Sequence, residues 1–225
     1  MKVLFRYPWR LAVFVLFAPA GFAFQAPEHI PATHAATGTI EVAFSPWDDG
    51  EALILRTLKE ARHDIYVQAF LFTSRGLAAA LIEAQQRGIK VQVLADGQNV
   101  EGASQIPHLA QSGIPVALET RYASAHNKVI LVDPEQAACA VITGSYNFTH
   151  SARVRNAENL LVLRGDAALA RAYLANWRRH RLDAVPYARS ELKAAPPRAK
   201  GSERNRLPFP WESGARPRRD FLEMQ

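Results

Sequence analysis

The sequence predicts an α/β fold in which helices lie on the faces of a mixed, largely parallel β-sheet. Three observations lead to this prediction. From Thr39 to Glu119, short apolar runs of strand character alternate with segments of helical spacing. Two further apolar runs follow one another across a short turn, as in a β-hairpin. A last helical segment closes the pattern. Regular alternation of strand and helix is typical of parallel strands joined by crossover helices.

The first part of the chain predicts four strands and three helices in alternation. The strands are expected at TIEVAF, DIYVQAFLF, IKVQVLAD and IPVALE, and the helices at residues 51–62, 74–87 and 103–111. Asp48 or Asp49 can cap the first helix and Ser74 the second, because their side-chain oxygens accept hydrogen bonds from the free N–H groups of a helix start. Gly88 ends the second helix, since glycine adopts the left-handed conformation of many helix C-termini.

The second part predicts a hairpin, a polar loop, a strand and a closing helix. The hairpin strands are NKVILVD and AACAVIT, the loop is GSYNFTHSARVRN, and the last strand is ENLLVLR. The closing helix is expected over residues 167–181. Helical spacing predicts that this helix buries Leu169, Tyr173, Leu174 and Trp177, and that the first helix buries Ala52, Leu55, Leu58 and Ala61.

Both ends of the chain differ in composition from the predicted domain at residues 39–185. Residues 1–23 combine three basic residues, an apolar run and small residues at cleavage positions, which predicts a secretory signal peptide and a periplasmic or secreted protein. Residues 24–38 lack periodicity and are interpreted as a linker. Residues 186–225 contain six prolines and many charges, which predicts a basic, disordered tail.

The formal net charge of +6 belongs to these ends and not to the domain. Residues 1–20 contribute +3 and residues 186–225 contribute +4, so the remaining 165 residues sum to −1. A uniformly basic surface is therefore excluded for the domain, and any binding of phosphate must come from local clusters.

The chemistry is concentrated in one stretch of 33 residues, with the segments HNKVILVD, TGSYNFT and NAEN. The candidate site residues in it are His126, Lys128, Asp133, Ser145, Asn147 and Glu158. His126 and Lys128 are two residues apart at the start of a strand, so their side chains point to the same face. Together these residue types can bind a phosphate and attack it.

Each residue type suggests a role. His126 is the expected nucleophile, because a neutral imidazole can attack phosphorus and its ordinary pKa of about 6.5 keeps much of it neutral near pH 7. Glu158 is expected to hold the tautomer and orientation of His126. Lys128, Ser145 and Asn147 are expected to bind the non-bridging phosphate oxygens, where negative charge concentrates in the transition state. Asp133 lies an odd number of residues from Lys128 and is expected to support the hairpin from the other face.

These residues resemble the HxK(x)4D…GSxN signature of the phospholipase D superfamily, and the motif occurs once. From Thr39 to about Arg181 the chain is similar to the single-motif bacterial endonuclease branch, with matches at FSPWDDGEALILRTLKEA, QAFLFTS and RGIKVQVLAD as well as in the motif. The resemblance implies an α-β-α sandwich and a homodimer in which two motifs form one active site. It also implies that His126 of one subunit forms a phosphohistidine, that His126 of the other protonates the leaving oxygen, and that no metal or cofactor is required.

One departure from the family pattern lies between the Asp and the Gly-Ser pair. Pro134 to Thr143 comprises ten residues, which is longer than in the family's common pattern. The extra length is expected in the hairpin tip, since surface loops tolerate insertions, and it could alter the rim of the site.

The favoured hypothesis is an exported, metal-independent endonuclease that hydrolyses DNA, with RNA left open, and that has no stable association with a membrane after signal cleavage. Arg121, Arg153 and Arg155 flank the motif and could follow a nucleic-acid backbone, and Tyr146 or Phe148 could stack on a base. One alternative is a membrane-anchored phospholipid phosphodiesterase or phosphatidyl transferase. The other is a catalytically inactive nucleic-acid-binding protein. Metal-dependent hydrolysis is disfavoured because no His, Asp and Glu cluster has ligand spacing.

Overall fold

Eight strands and five helices make up the described part of the chain, which is Thr33 and residues 35–187 of a computed structural model. The predicted signal peptide, most of the linker and the tail after Tyr187 lie outside the described residues. The elements are β1 (Thr39–Ser45), α1 (Gly50–Glu60), β2 (Asp64–Ala69), α2 (Arg75–Gln86), β3 (Lys90–Asp96), α3 (Ile106–Gln111), β4 (Val116–Glu119), β5 (Lys128–Val132), β6 (Ala140–Gly144), α4 (His150–Val154), β7 (Glu158–Arg164), α5 (Ala167–Asp183) and β8 (Val185–Pro186).

The eight strands form one mixed sheet in the order β1-β7-β6-β5-β2-β3-β4-β8. The α/β class and the mixed sheet are confirmed. The prediction of a largely parallel sheet is wrong, because only β2–β3 and β3–β4 pair in parallel and the other five pairings are antiparallel. Strand and helix alternate as expected, but β1 pairs with β7 at the far edge instead of with β2. Alternation along a sequence does not specify which strands become neighbours.

Helices cover the two faces of the sheet and each face has its own core. On one face, α1 and α2 bury Ile54, Leu58, Leu77 and Leu81 against the sheet. On the other face, α5 buries Leu174 and Trp177 against a second apolar cluster of the sheet. The expected helix–sheet–helix layering is therefore present.

The predicted N-terminal caps of α1 and α2 are confirmed, whereas α3 begins at Ile106 and not at Ala103. Asp49 Oδ1 accepts a hydrogen bond from Ala52 N at 3.0 Å and caps α1. Ser74 Oγ accepts one from Leu77 N at 3.1 Å and caps α2. The buried face of α1 is displaced from the predicted one, however, since Ala52 is exposed while Leu53 is buried.

Two elements were not predicted. The short helix α4 begins after Thr149, whose Oγ1 accepts a hydrogen bond from Ala152 N at 3.1 Å. The sheet also continues past the predicted domain end at residue 185. There β8 pairs with β4, and Tyr187 N donates to Val116 O at 2.9 Å. Among the described residues, the helices are all too short or too polar to cross a bilayer.

Trp177 packs α5 against the sheet. We predict that Trp177→Ala destabilises the domain by about 3–5 kcal/mol, because a large buried side chain is lost. Trp177 Nε1 donates to Val67 O at 3.0 Å, and its ring packs edge-on against Tyr66 with centroids 4.9 Å apart. The free energy of unfolding from denaturant titration measures the effect. Leu182→Ala is the matched control, since Leu182 lies on the same helix, is 86% exposed, and should change stability by less than about 0.5 kcal/mol. Equal effects of the two variants would contradict the assigned packing of α5.

Candidate active site

Five of the six candidate site residues lie at one edge of the sheet because of the strand directions, and Asp133 lies at the opposite edge. In the β2–β5 pairing, Ala69 at the end of β2 lies opposite Lys128 at the start of β5. In the β1–β7 pairing, Ser45 at the end of β1 lies opposite Glu158 at the start of β7. The antiparallel β6 ends at the same edge, at Gly144. The start of β5, the end of β6 and the start of β7 are therefore neighbours.

His126 is exposed and lies just before β5, two residues from the buried Lys128. Its ring packs against Phe70, with the ring centroids 4.3 Å apart and the planes tilted by 54°. Phe70 N donates to Asn127 O at 3.0 Å, so the end of β2 also fixes the backbone beside His126. Phe70 restricts the position of the imidazole from one side and leaves the rest of the ring accessible.

Asp96 holds the segment that precedes His126. The side chain of Asp96 is buried at the end of β3, and its Oδ2 accepts a hydrogen bond from Ala125 N at 2.7 Å. Its Oδ1 accepts from Gln98 N and from Asn99 Nδ2, at 2.9 and 2.8 Å. Neither Asp96 nor Phe70 was predicted from the sequence to belong to the site. The available signal was their position, since Asp96 ends one predicted strand and Phe70 lies two residues before the end of another.

Lys128 is only 7% exposed, and its ammonium group is directed to the site edge. Its Nζ donates to the backbone oxygen of His126 at 2.6 Å and lies 4.8 Å from the centroid of the Phe70 ring. Burial lowers the pKa of Lys128, and the negative charge of Glu158 opposes this shift. A partly desolvated cation of this kind interacts strongly with an incoming phosphate.

Glu158 contacts the loop that contains Ser145 and Asn147. Its Oε2 accepts a hydrogen bond from Ser145 Oγ at 2.6 Å, and its Oε1 accepts one from Asn156 Nδ2 at 2.8 Å. Ser145 Oγ also accepts from Asn159 N at 3.0 Å, so the hydroxyl is fixed from two sides. Within the described residues of one chain, no hydrogen bond joins Glu158 to His126. The role predicted for Glu158 toward His126 therefore stays a prediction.

Gly144 is required by the close approach of β6 to β7 and not by a ligand. Its φ is 146°, and a Cβ at this position would lie 2.3 Å from Asn159 O. Any side chain would push apart the strands that carry Ser145 and Glu158.

The side chains of the segment GSYNF divide between the hydrophobic core and the candidate site. Tyr146 and Phe148 are both buried, and Phe148 packs edge-on against Phe72 with centroids 5.6 Å apart. Neither ring is available to stack on a base, so that suggestion is wrong.

Asn147 is partly exposed, and its buried Oδ1 has no hydrogen-bond partner among the described residues. The role predicted for Asn147 requires its Nδ2, because a phosphate oxygen accepts hydrogen bonds and an amide oxygen cannot donate one.

Asp133 lies at the opposite end of β5 and fixes the hairpin to the loop before β2. Its Oδ1 accepts from His63 N at 2.7 Å and from Asp64 N at 2.8 Å, and its Oδ2 accepts from Arg62 N at 2.8 Å. It adopts a φ of 47°, in the left-handed region that Asp tolerates better than most residues. This geometry is that of a supporting residue, remote from His126.

The long connection between Asp133 and the Gly-Ser pair also turns at that opposite edge. β5 runs away from the site and β6 returns, so residues 133–139 form the turn. The extra residues therefore do not alter the rim of the site, contrary to what the sequence suggested.

Two of the three flanking arginines already have acidic partners. Arg121 forms an ion pair with Asp183, and Arg153 Nη2 lies 2.8 Å from Asp49 Oδ2. Arg155 is exposed and has no ion pair among the described residues. It is the best placed of the three to meet a polyanion.

Comparison with known proteins places this geometry in a family. The family model described as "Cardiolipin synthase, PLD-like domain" matches residues 54–180, which is more than half of the chain. The chain belongs to the phospholipase D superfamily. Members of this superfamily are phosphodiesterases. The match covers β2 to α5 almost completely and includes every candidate site residue.

Individual relatives agree with this membership. A protein named phospholipase D from Rickettsia prowazekii is 40% identical over 139 residues, which are 61% of this chain and 65% of that protein. The mitochondrial cardiolipin hydrolase of Mus musculus is 33% identical over 127 residues, or 56% of this chain and 55% of that protein. This chain thus spans less than two thirds of the length of either relative.

A solved structure has the same fold. The crystal structure of Nuc, a phospholipase D family member from Salmonella typhimurium, superposes with a TM-score of 0.62 at 31% identity. The match covers 66% of this chain and 97% of that one. The aligned unit is therefore almost the whole of the Salmonella chain.

We predict that Asp133→Ala lowers the free energy of unfolding by at least about 2 kcal/mol, because three backbone N–H groups lose their shared acceptor. His126→Ala removes an exposed side chain and should cost less than about 1 kcal/mol. Denaturant titration of the two variants measures the difference. An Asp133→Ala protein as stable as His126→Ala would show that the carboxylate does not fasten the hairpin.

Proposed function

We propose that this protein is a metal-independent phosphodiesterase. Its proposed activity is that of a non-specific endonuclease that hydrolyses DNA. The observation that carries the proposal is the convergence of His126, Lys128, Ser145 and Asn147 at one sheet edge. They combine an accessible imidazole with a buried cation, a fixed hydroxyl and an amide. This is a set that binds a tetrahedral anion and presents a nucleophile to it.

In the proposed mechanism, a nitrogen of the His126 imidazole attacks phosphorus and the bond from phosphorus to the leaving oxygen breaks. A protonated imidazole gives its proton to that oxygen. Water then attacks the phosphohistidine and gives its proton to the imidazole that protonated the leaving oxygen, while the P–N bond breaks and His126 is released. Lys128 and the Ser145–Asn147 loop stabilise the negative charge on the non-bridging oxygens in both steps. Each step balances without an external oxidant or reductant.

The second imidazole is proposed to come from another copy of the chain. Each chain supplies one histidine of the motif, His126, while the other histidine near the Ser145–Asn147 loop, His150, lies at the start of α4 and lines the cavity on the side of α1 and α2. Glu158 is already engaged with Ser145 in its own chain and is not free to act as an acid. A homodimer with two motifs at its interface supplies the missing proton donor. Two coupled imidazoles that share one proton would also provide the neutral and protonated forms together.

Nucleic acid is the proposed substrate because basic side chains lie beside the Ser145–Asn147 loop. His150 and Arg155 are exposed on and beside α4, which follows the Ser145–Asn147 loop directly. The composition of residues 1–23 supports export, so we place the mature protein in the periplasm or outside the cell, without stable attachment to a membrane.

Phospholipid is the second candidate substrate, and a different observation favours it. Phe44 and Trp47 are exposed at the end of β1, beside Glu158, with Trp47 82% exposed. Exposed aromatic residues next to a phosphodiesterase site are suited to an interface between water and lipid. The names of the Rickettsia and mouse relatives point in the same direction.

We predict that the protein without residues 1–23 nicks plasmid DNA in excess EDTA, and that His126→Ala reduces the rate at least about 10²-fold because the nucleophile is lost. Gel analysis of plasmid forms measures nicking. RNA degradation and hydrolysis of phospholipid vesicles are measured with the same preparations.

Glu101→Gln serves as the matched control, since Glu101 is exposed in the loop after β3. Cleavage that stops in EDTA, or that His126→Ala leaves unchanged, would overturn the mechanism. His126-dependent hydrolysis of vesicles without nicking would establish the lipid candidate instead.

An active site shared by two subunits predicts the activity of a mixed dimer. A wild-type subunit and a His126→Ala subunit, coexpressed with different affinity tags and purified through both, should have less than about 1% of wild-type activity, because each site needs both histidines. Two independent sites would leave about half of the activity. Failure to recover any doubly tagged protein would show that no stable dimer forms.

A further inference from the structure

A polar cavity of about 290 Å³ lies at the same edge of the sheet as the candidate site, on the side of α1 and α2. It is formed where α1, α2 and α4 begin. The residues that line it include Glu51, Arg75, Gly76, His150 and Arg153. None of these side chains has a role in the mechanism described above, so the cavity requires its own explanation.

Glu51 is the unusual member of the cavity. It is only 9% exposed, yet it has no hydrogen bond or ion pair among the described residues. Its oxygens remain accessible from the cavity, since neither is among the fully buried polar atoms that lack a partner. The start of α2 favours the negative charge, since the positive end of a helix attracts a nearby anion. The oxygens of Glu51 still have unused capacity to accept hydrogen bonds within the cavity.

The space that the Glu51 carboxylate occupies exists because residue 76 is a glycine. A Cβ at Gly76 would lie 2.8 Å from Glu51 Oε1, so any side chain there would displace the carboxylate. The glycine thus keeps the start of α2 clear on the side of Glu51.

The charges of the lining select the kind of ligand. Arg75 and His150 are exposed, and Arg153 is held by Asp49 at 2.8 Å. A bare phosphate would meet these cations, but it would also meet the negative charge of Glu51. A neutral group can satisfy both kinds of charge if it donates a hydrogen bond to Glu51 and accepts one from an arginine. The amino-bearing edges of adenine, cytosine and guanine have this combination of donor and ring acceptors.

The wall of the cavity is bonded to the loop that contains Ser145 and Asn147. Phe148 O accepts hydrogen bonds from Thr73 N at 2.9 Å and from Ser74 N at 3.0 Å. Phe148 directly follows Asn147, so the backbone beside this loop is bonded to the wall of the cavity. The volume is near the lower end for small-ligand pockets, which suits one base better than an acyl chain.

We propose that this cavity is a base-binding subsite that prefers amino-bearing bases in the nucleotide next to the cleaved phosphate. The exocyclic amino group donates to Glu51, and Arg75 or Arg153 donates to a ring acceptor of the same base. Thymine and uracil present a carbonyl oxygen where the amino group would be, and that oxygen repels the carboxylate. This subsite rests on the proposed nuclease function and adds a sequence preference to it.

The test uses end-labelled oligo(dT) strands that contain one dC or one dU at the same position. The two bases differ only in the amino and carbonyl groups that the subsite distinguishes. Wild-type protein should cleave beside dC about 5- to 100-fold faster than beside dU. Glu51→Gln should bring the ratio to about one or reverse it, because an amide can also donate to the uracil oxygen. Gly76→Ala, which displaces Glu51, should lower the ratio as well.

Glu83→Gln is the matched control, since Glu83 is exposed on α2 and should retain the wild-type ratio. The ratio is independent of total activity, so a variant that folds less well still gives an answer. Equal cleavage beside dC and dU by wild-type protein, with all cleavage dependent on His126, would overturn the subsite and leave the nuclease function intact. Vesicle hydrolysis that depends on Glu51 and selects phosphatidylethanolamine would assign the cavity to an amine headgroup and would also overturn it. An absence of His126-dependent cleavage on every strand would instead refute the nuclease function itself.

Discussion

The reversal of strand direction between β2 and β5 is the constraint on which the site depends. Ala69 lies opposite Lys128 in an antiparallel register, while β2 and β3 remain parallel. The carboxyl ends of β2, β3 and β4 therefore share an edge with the start of β5, and through β6 with the start of β7. A shift of one residue in this register would turn Lys128 to the opposite face of the sheet and separate it from Ser145.

Two buried carboxylates turn this topology into a rigid arrangement. Asp96 accepts hydrogen bonds near one end of the segment that carries His126, and Asp133 accepts three backbone N–H groups at the far end of β5. Hydrogen bonds to charged acceptors are stronger than neutral ones, so both ends of the HxK strand are fixed by interactions that tolerate little displacement. The nucleophile itself remains exposed, because the fastening groups act on the backbone.

The sequence was informative where local chemistry decides the outcome, and less so where long-range pairing does. The caps at Asp49 and Ser74 and the strand β7, Glu158–Arg164, were predicted because each depends on neighbouring residues. The sheet order was not, since nothing near β1 indicates that its partner is β7. Signature residues located the site, but the contact between Glu158 and Ser145 depends on how two separate strands pair. Phe70 and Asp96 were missed because an apolar residue and a carboxylate at strand ends have many ordinary uses.

The position of the hairpin turn has a consequence for how members of this superfamily are recognised. The turn after Asp133 lies at the edge opposite to His126, and its base is fixed by the Asp133 carboxylate. The number of residues between the Asp and the Gly-Ser pair is thus a property of a remote surface loop. A sequence search that insists on a fixed interval there would discard chains whose chemical residues are all in place. The diagnostic interval is the one between His126 and Lys128, which the geometry of a single strand start determines.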